Sequence, residues 1–131
     1  MTINTPPRRG YILHANQGLA PAQPQLKASA GSTGGQLTVF TLSLNGGPPR
    51  HTHTREDESI YLISGRLEVE CDGEEFEATR GSFVFLPRQR LHTFRSVGGT
   101  ARGLLIVTPG GLENYFDALH AATKTDRARP Q

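Results

Sequence analysis

Two histidines one residue apart, His51 and His53, followed five residues later by Glu58, have residue types and spacing suited to metal chemistry. In an extended chain alternate side chains share a face, so both imidazoles can reach one ion while Thr52 points away. The four residues between His53 and Glu58 leave room for a turn before the apolar run Ile60-Tyr-Leu-Ile63, which stops at Ser64-Gly65, so the stretch reads as strand, turn, strand with the histidines on the first strand. A third histidine, His92, follows the run Phe83-Val-Phe-Leu86 and the Pro87-led turn, and it is expected as the next ligand. Imidazole nitrogen combined with carboxylate oxygen suits one divalent transition metal ion such as iron, manganese, nickel, cobalt or zinc. Magnesium and calcium prefer sites made wholly of oxygen.

The rest of the chain must position these groups. At 131 residues it is long enough for one domain with its own core. A hydrophobic share of 35% with 15 Gly and 9 Pro points to short strands and many turns, an all-β chain rather than a helix bundle. The net charge is +2, but basic and acidic residues are interspersed, so no nucleic acid is expected as a partner. The single cysteine, Cys71, excludes an internal disulfide and any cysteine-built metal cluster, and it is expected to be an inert thiol. No apolar run approaches membrane-spanning length, so no membrane partner and a cytoplasmic location are expected.

In chain order, residues 1–10 are expected to be a flexible arm, Tyr11–His14 a first short strand, and Leu26–Ala30 an edge strand before the Gly31–Gly35 breaker. Gln36–Leu44 is the clearest early strand, with Phe40, Leu42 and Leu44 on one apolar face. Asn45-Gly-Gly-Pro-Pro49 then turns the chain toward His51. Arg66–Cys71 and Glu75–Thr79 flank Asp72-Gly73 as a hairpin whose Glu68 and Glu70 face solvent while Leu67 and Val69 face inward. Strands over 83–86, 91–97 and 101–108 complete the series. Leu112, Tyr115, Phe116 and Leu119 recur at helical spacing, giving a C-terminal helix over 111–123 and a tail over 125–131. His14 and His120 stand apart from the ligand group. Phe40, Leu42, Phe94 and Phe116 are the candidate substrate-binding residues.

These features resemble the cupin superfamily. Its first motif, a glycine ahead of His-x-His, then a glutamate and a further glycine, is met by His51, His53, Glu58 and Gly65, although Asn45 stands at the leading glycine and Gly46 falls one place late. Its second motif is met by Gly81, Pro87 and His92, with Gln89 in place of a glycine and Ser96 in place of an asparagine. The compact form resembles small single-domain bacterial cupins described as quercetin-dioxygenase-like. The resemblance implies a double-stranded β-helix, or jelly-roll barrel, spanning 11–124 with a short C-terminal helix, and His51, His53, Glu58 and His92 as ligands. It also implies a homodimer, for which the Leu26–Ala30 edge and the N-terminal arm offer a pairing site. The expected activity is a metal-dependent dioxygenase acting on a small enol, phenol or hydroxy-carbonyl substrate with dioxygen, Glu58 being either a lasting ligand or the catalytic base. The alternatives are an oxygen-independent isomerase, cyclase or lyase, and a non-catalytic, metal-stabilised binding protein.

Overall fold

The structure, a computed structural model, describes residues 8–114. Two antiparallel sheets face each other. One has five strands in the order β1-β2-β8-β3-β6, from β1 (Leu26–Ala28), β2 (Thr38–Leu44), β8 (Ala101–Thr108), β3 (Asp57–Ser64) and β6 (Phe83–Leu86). The other has three in the order β5-β4-β7, from β5 (Glu74–Ala78), β4 (Leu67–Cys71) and β7 (His92–Ser96). Inward positions of both sheets meet in one core that includes Phe40, Ile60, Leu62, Leu67, Val69 and Leu105. This is the all-β jelly-roll architecture that the sequence predicts.

The β4–β5 hairpin follows from its turn chemistry. Asp72 and Gly73 both take positive φ, 53° and 81°, the pair of left-handed residues that a two-residue hairpin turn requires. Leu67 and Val69 are buried and Glu68 is exposed, as the alternation predicts. Gly65 needs its missing side chain for another reason: a Cβ there would lie 2.5 Å from the Thr100 carbonyl oxygen.

Three local expectations are corrected. No strand forms at 11–14; the Tyr11 hydroxyl instead bonds the Lys27 carbonyl and Ser32 Oγ, each at 2.9 Å, so this stretch is tied through a side chain and not through a ladder. The first strand ends at Ala28 and not Ala30, and the expected breaker holds a short helix, α1 (Ala30–Thr33). Gly31, Ser32 and Thr33 are weak helix formers, but Ser29 and Ser32 cap each other reciprocally and Gly34, at φ 64°, closes the turn. His51–His53 is extended but joins the sheets through a single bridge, His51 to His92, and not as a strand.

After cis-Pro109 the chain turns at Gly110 and Gly111 and is helical over 112–114. Leu112 enters the core, and the buried Glu113 carboxylate accepts from Thr38 Oγ1, from the Ala30 amide at 2.9 Å and from the Gly111 amide at 3.2 Å. This clasp joins α1, β2 and the segment after β8. The remainder of the expected helix, with Phe116, and the expected arm and tail over 1–7 and 125–131 lie outside the described residues.

Candidate metal centre

The four ligand candidates reach one place from both sheets. Glu58 comes from β3 of the five-stranded sheet, His92 opens β7 of the three-stranded sheet, and His51 and His53 come from the connection between β2 and β3. Their ligand atoms all lie within 4.8 Å of one another. Glu58 Oε1 stands 2.7 Å from His92 Nε2, 3.4 Å from His53 Nε2 and 3.8 Å from His51 Nε2. Glu58 and His92 are buried and His51 is the most exposed of the four, so the group opens to solvent on the His51 side.

The backbone sets how the rings present themselves. His51 Nδ1 lies 2.8 Å from the Pro49 carbonyl oxygen and His92 Nδ1 lies 3.1 Å from that of Arg90. Each carbonyl accepts the Nδ1 proton, which directs the Nε2 lone pair inward, the tautomer a metal needs. His53 Nε2 is the one buried side-chain polar atom among the described residues that has no hydrogen-bond partner. A buried, unpartnered imidazole nitrogen facing a carboxylate and two further imidazoles fits a cation among them.

Electrostatics agree with that donor set. Burial pushes the Glu58 carboxyl upward, but the imidazoles of His51, His53 and His92 crowded around it outweigh this and hold the group well below the usual carboxylate range. His51 is raised, first by the neighbouring Glu58 carboxylate, against the opposing effect of burial, with the Pro49 carbonyl adding to the rise. The group therefore favours an ionised carboxylate beside positive charge, whether protons or a metal supply it.

The motif departures are absorbed locally. Gln89, in the place of a glycine, takes φ 65°, and its amide donates to the His53 carbonyl at 2.7 Å, so the turn before His92 also fixes His53. A left-handed non-glycine residue costs about 1 kcal/mol, partly offset by the greater unfolded-state freedom of glycine. Gln89→Gly is thus expected to raise the melting temperature by about 2 °C without altering metal content, checked by paired thermal melts and elemental analysis. Ser96, in the place of an asparagine, accepts from the Gly46 amide through Oγ at 2.7 Å and donates its own amide to the Gly46 carbonyl at 2.9 Å. With the Thr93 hydroxyl donating to the Pro48 carbonyl, these bonds zip residues 46–51 along β7 and deliver His51 to His92. The glycine requirement itself moves to Gly46, at φ 110°, and Gly47, where a Cβ would lie 1.9 Å from the Phe94 carbonyl oxygen.

Several positioning residues carry no signal in sequence spacing. Asp57 accepts from the Arg88 amide at 2.8 Å and from its guanidinium at 3.2 Å, clamping the start of β3 to the turn ahead of His92. Arg88 hydrogen bonding holds the Asp57 carboxyl below its usual value. Arg50 pairs with Glu70 through two bonds of 2.9 and 2.8 Å, bracing the residue before His51. Cys71 comes opposite His92 across β4 and β7, and burial, followed by the charge of Asp72, pushes its thiol up, in keeping with an inert cysteine.

Strand register places the apolar candidates in layers. The inward row holding Glu58 also holds Val107 and Thr38; the next holds Ile60, Leu105 and Phe40, and the one after holds Leu62, Gly103 and Leu42. Phe40 is one layer below Glu58, Leu42 two layers below, and Phe94 one layer below His92 on the same face of β7. Phe40 and Phe94 are buried in the core, with Leu42 packed against it. Two surface depressions, one lined by Arg8, Tyr11 and Thr33 and the other by Glu68, Phe76 and Arg95, are lined by none of the four ligand candidates.

A two-sheet jelly roll that brings three imidazoles and a carboxylate together between its sheets belongs to a known class of β-barrel protein. The chain is a member of the cupin domain family, whose pattern matches residues 38–108. It is 31% identical over 70 residues to polyketide synthase CurC of Streptomyces cyaneus, covering 53% of this chain and 46% of that protein. It is 24% identical over 118 residues to quercetin 2,3-dioxygenase of Bacillus subtilis, covering 83% of this chain and 34% of that protein. The chain thus spans about half or less of either relative. Among solved structures it resembles KdgF from Halomonas sp., with a TM-score of 0.65, 18% identity, and 79% and 96% of the two chains covered. Among the described residues no helix is long and apolar enough to cross a membrane.

Proposed function

We propose that the chain is a metal-dependent cupin enzyme that uses dioxygen to oxygenate a small enol, phenol or hydroxy-carbonyl compound, with His51, His53, Glu58 and His92 holding one divalent transition metal ion. The observation that carries this reading is the convergence of three Nε2 atoms on Glu58 Oε1, one of them buried with no hydrogen bond. The bound cation would supply Lewis acidity, lowering the pKa of an oxygen that approaches it. The protein's own groups do the remainder. The Pro49 and Arg90 carbonyls keep Nε2 of His51 and His92 turned inward. Glu58 is the carboxylate of the group and accepts the proton of a substrate O–H whose own pKa the cation would lower. Phe40 and Phe94 floor the site and exclude water, with Leu42 beneath, and substrate enters on the His51 side. In a dioxygenation both oxygen atoms end in the product, so no outside reductant is required.

Likeness to quercetin 2,3-dioxygenase supports oxygenation. Likeness to polyketide synthase CurC and to the tetracenomycin polyketide synthase protein TcmJ of Streptomyces glaucescens, each at 31% identity, supports a second reading: a proton-moving isomerase, cyclase or lyase with the same ligands and no oxygen. Elemental analysis of freshly purified protein should find about one transition metal ion per chain, and an oxygen electrode with quercetin and aromatic hydroxy-ketones as probes should record uptake that a chelator abolishes. Undiminished turnover in oxygen-free buffer would sink oxygenation and leave the second reading. Full activity in metal-stripped protein would sink both.

A further inference from the structure

Glu58 and His92 touch at 2.7 Å but belong to different sheets, so their spacing depends on how the chain passes from one sheet to the other. It does so at one corner of the site. Leu86, the last residue of β6, pairs with Glu58 on β3, and His92 is the first residue of β7. The five residues 87–91 therefore begin beside the carboxylate and end at the imidazole. On the five-stranded side Arg88 donates to Asp57 from its amide at 2.8 Å and from Nε and Nη2 at 3.2 Å each, gripping both oxygens of the carboxylate next to Glu58. The Gln89 amide donates to the His53 carbonyl at 2.7 Å, and the Arg90 carbonyl stands 3.1 Å from His92 Nδ1. On the three-stranded side the Leu91 carbonyl accepts from the Asp72 amide at 2.9 Å, and the Arg90 guanidinium lies 3.3 Å from the Asp72 carboxylate. The corner is thus fastened to the stretches that carry Glu58, His53 and His92 at once.

We propose that Arg88 is a positioning residue for the metal centre: by its fork to Asp57 it sets the corner 87–91 against β3, and so sets Glu58, His53 and His92 at their spacing before an ion arrives. This rests on the four-ligand reading of the site. Among the described residues Arg88–Asp57 is the one ion pair in which the cation's own backbone amide bonds the same carboxylate. Two parallel guanidinium bonds fix an angle as well as a distance, and the amide bond fixes the backbone from which the guanidinium extends. The pair is 44% and 26% exposed, so it adds little to the stability of the fold. Its effect lies in geometry. Ligands already held in place lose little freedom when an ion binds, whereas ligands that must be gathered bind more weakly by the freedom they give up. A pair that only braced the surface would act the other way round, lowering the melting temperature and leaving metal affinity untouched.

The test is titration of the chelator-treated full chain with cobalt(II) against a competing indicator dye, for the wild type, Arg88→Met, Arg88→Lys, Asp57→Ala and the control Arg66→Met. Arg66 also forms an exposed pair, with Glu77, but at the end of β4 away from Cys71 and His92. Arg88→Met should weaken cobalt binding by about 10–100-fold and alter the visible d–d bands of the bound ion, which report how its ligands are arranged. Asp57→Ala, which loses all three bonds, should weaken it at least as far. Arg88→Lys should recover part of the loss, because an ammonium keeps the charge without the fork. Arg66→Met should change neither affinity nor bands, and the metal-free melting temperatures of Arg88→Met and Arg66→Met should both stay within about 3 °C of the wild type. Unchanged affinity and bands in Arg88→Met, an equal loss in Arg66→Met, or a loss of affinity only in step with a collapse of the melting temperature would each overturn the proposal. A wild type that binds no cobalt would instead sink the four-ligand reading itself, and the role of Arg88 with it.

Discussion

His92→Ala is expected to lower the stability of the metal-free protein by about 3 kcal/mol and its melting temperature by about 10 °C. His92 is 1% exposed, and its Nε2 provides the shortest contact to Glu58 Oε1. Taking the ring away leaves a carboxylate, itself 3% exposed, without its best partner inside the protein and opens a cavity between the sheets. Urea or thermal unfolding of the chelator-treated protein checks this. A double replacement, His92→Ala with Glu58→Leu, should recover much of the loss, because the carboxylate that was stranded is gone; simple additivity of the two single effects would mean that the pair is not coupled. With the proposed ligand set, the same substitution removes one ligand of four in the metal-loaded protein. Loss of groups that merely orient ligands costs about 10–100-fold in affinity, so loss of His92 itself should exceed that. Titration with a competing chelator measures it.

The clustering of the candidate ligands was legible because it depends on residue type and short spacing, and the structure brings His51, His53, Glu58 and His92 within 4.8 Å of one another. The strand series was legible for the same reason: alternation in Leu67–Cys71 and the Asp72-Gly73 turn are local signals, and local geometry obeyed them. Where the sequence misled, a nonlocal partner decided. Tyr11–His14 has strand-like residues but no neighbouring strand, and its tyrosine is tied off by Lys27 and Ser32. Ala30–Thr33 has breaker residues, yet a reciprocal serine cap and Gly34 make a helical turn of it. The replacement at Gln89 was visible, but not that the site keeps the left-handed backbone regardless. Glu113 was unremarked, since nothing in its spacing shows that Thr38 and Ala30 wait 75 and 83 residues earlier. Continuous apolar runs in β8, β3 and β6 marked strands clearly, while the face they leave outside could be recognised only once the core had been assigned.

Glu58→Gln is expected to abolish turnover and to change how stability depends on pH. Glu58 in the folded protein lies below its usual value of 4.5, so its contribution is present above that value and fades as pH falls through the lower folded value. His51 lies above its usual 6.5, so its contribution is present below 6.5 and fades as pH rises through the higher folded value. The metal-free wild type should therefore be most stable between about pH 4.5 and 6.5, where carboxylate and imidazolium coexist. Glutamine keeps the shape and one hydrogen bond but loses the charge. The variant should be less stable by about 2 kcal/mol near pH 6. By pH 9 the deficit should vanish or reverse, because a buried carboxylate beside neutral imidazoles is costly and a buried amide is less so. Metal supplies the positive charge without protons, so adding it should restore the wild type at pH 8 and help the variant far less. Unfolding curves at pH 6 and pH 9, each with and without added zinc, separate these effects. A deficit that stays the same at both pH values, or a variant that gains as much from metal as the wild type, would remove Glu58 from the ligand set and leave the three histidines to hold the ion alone.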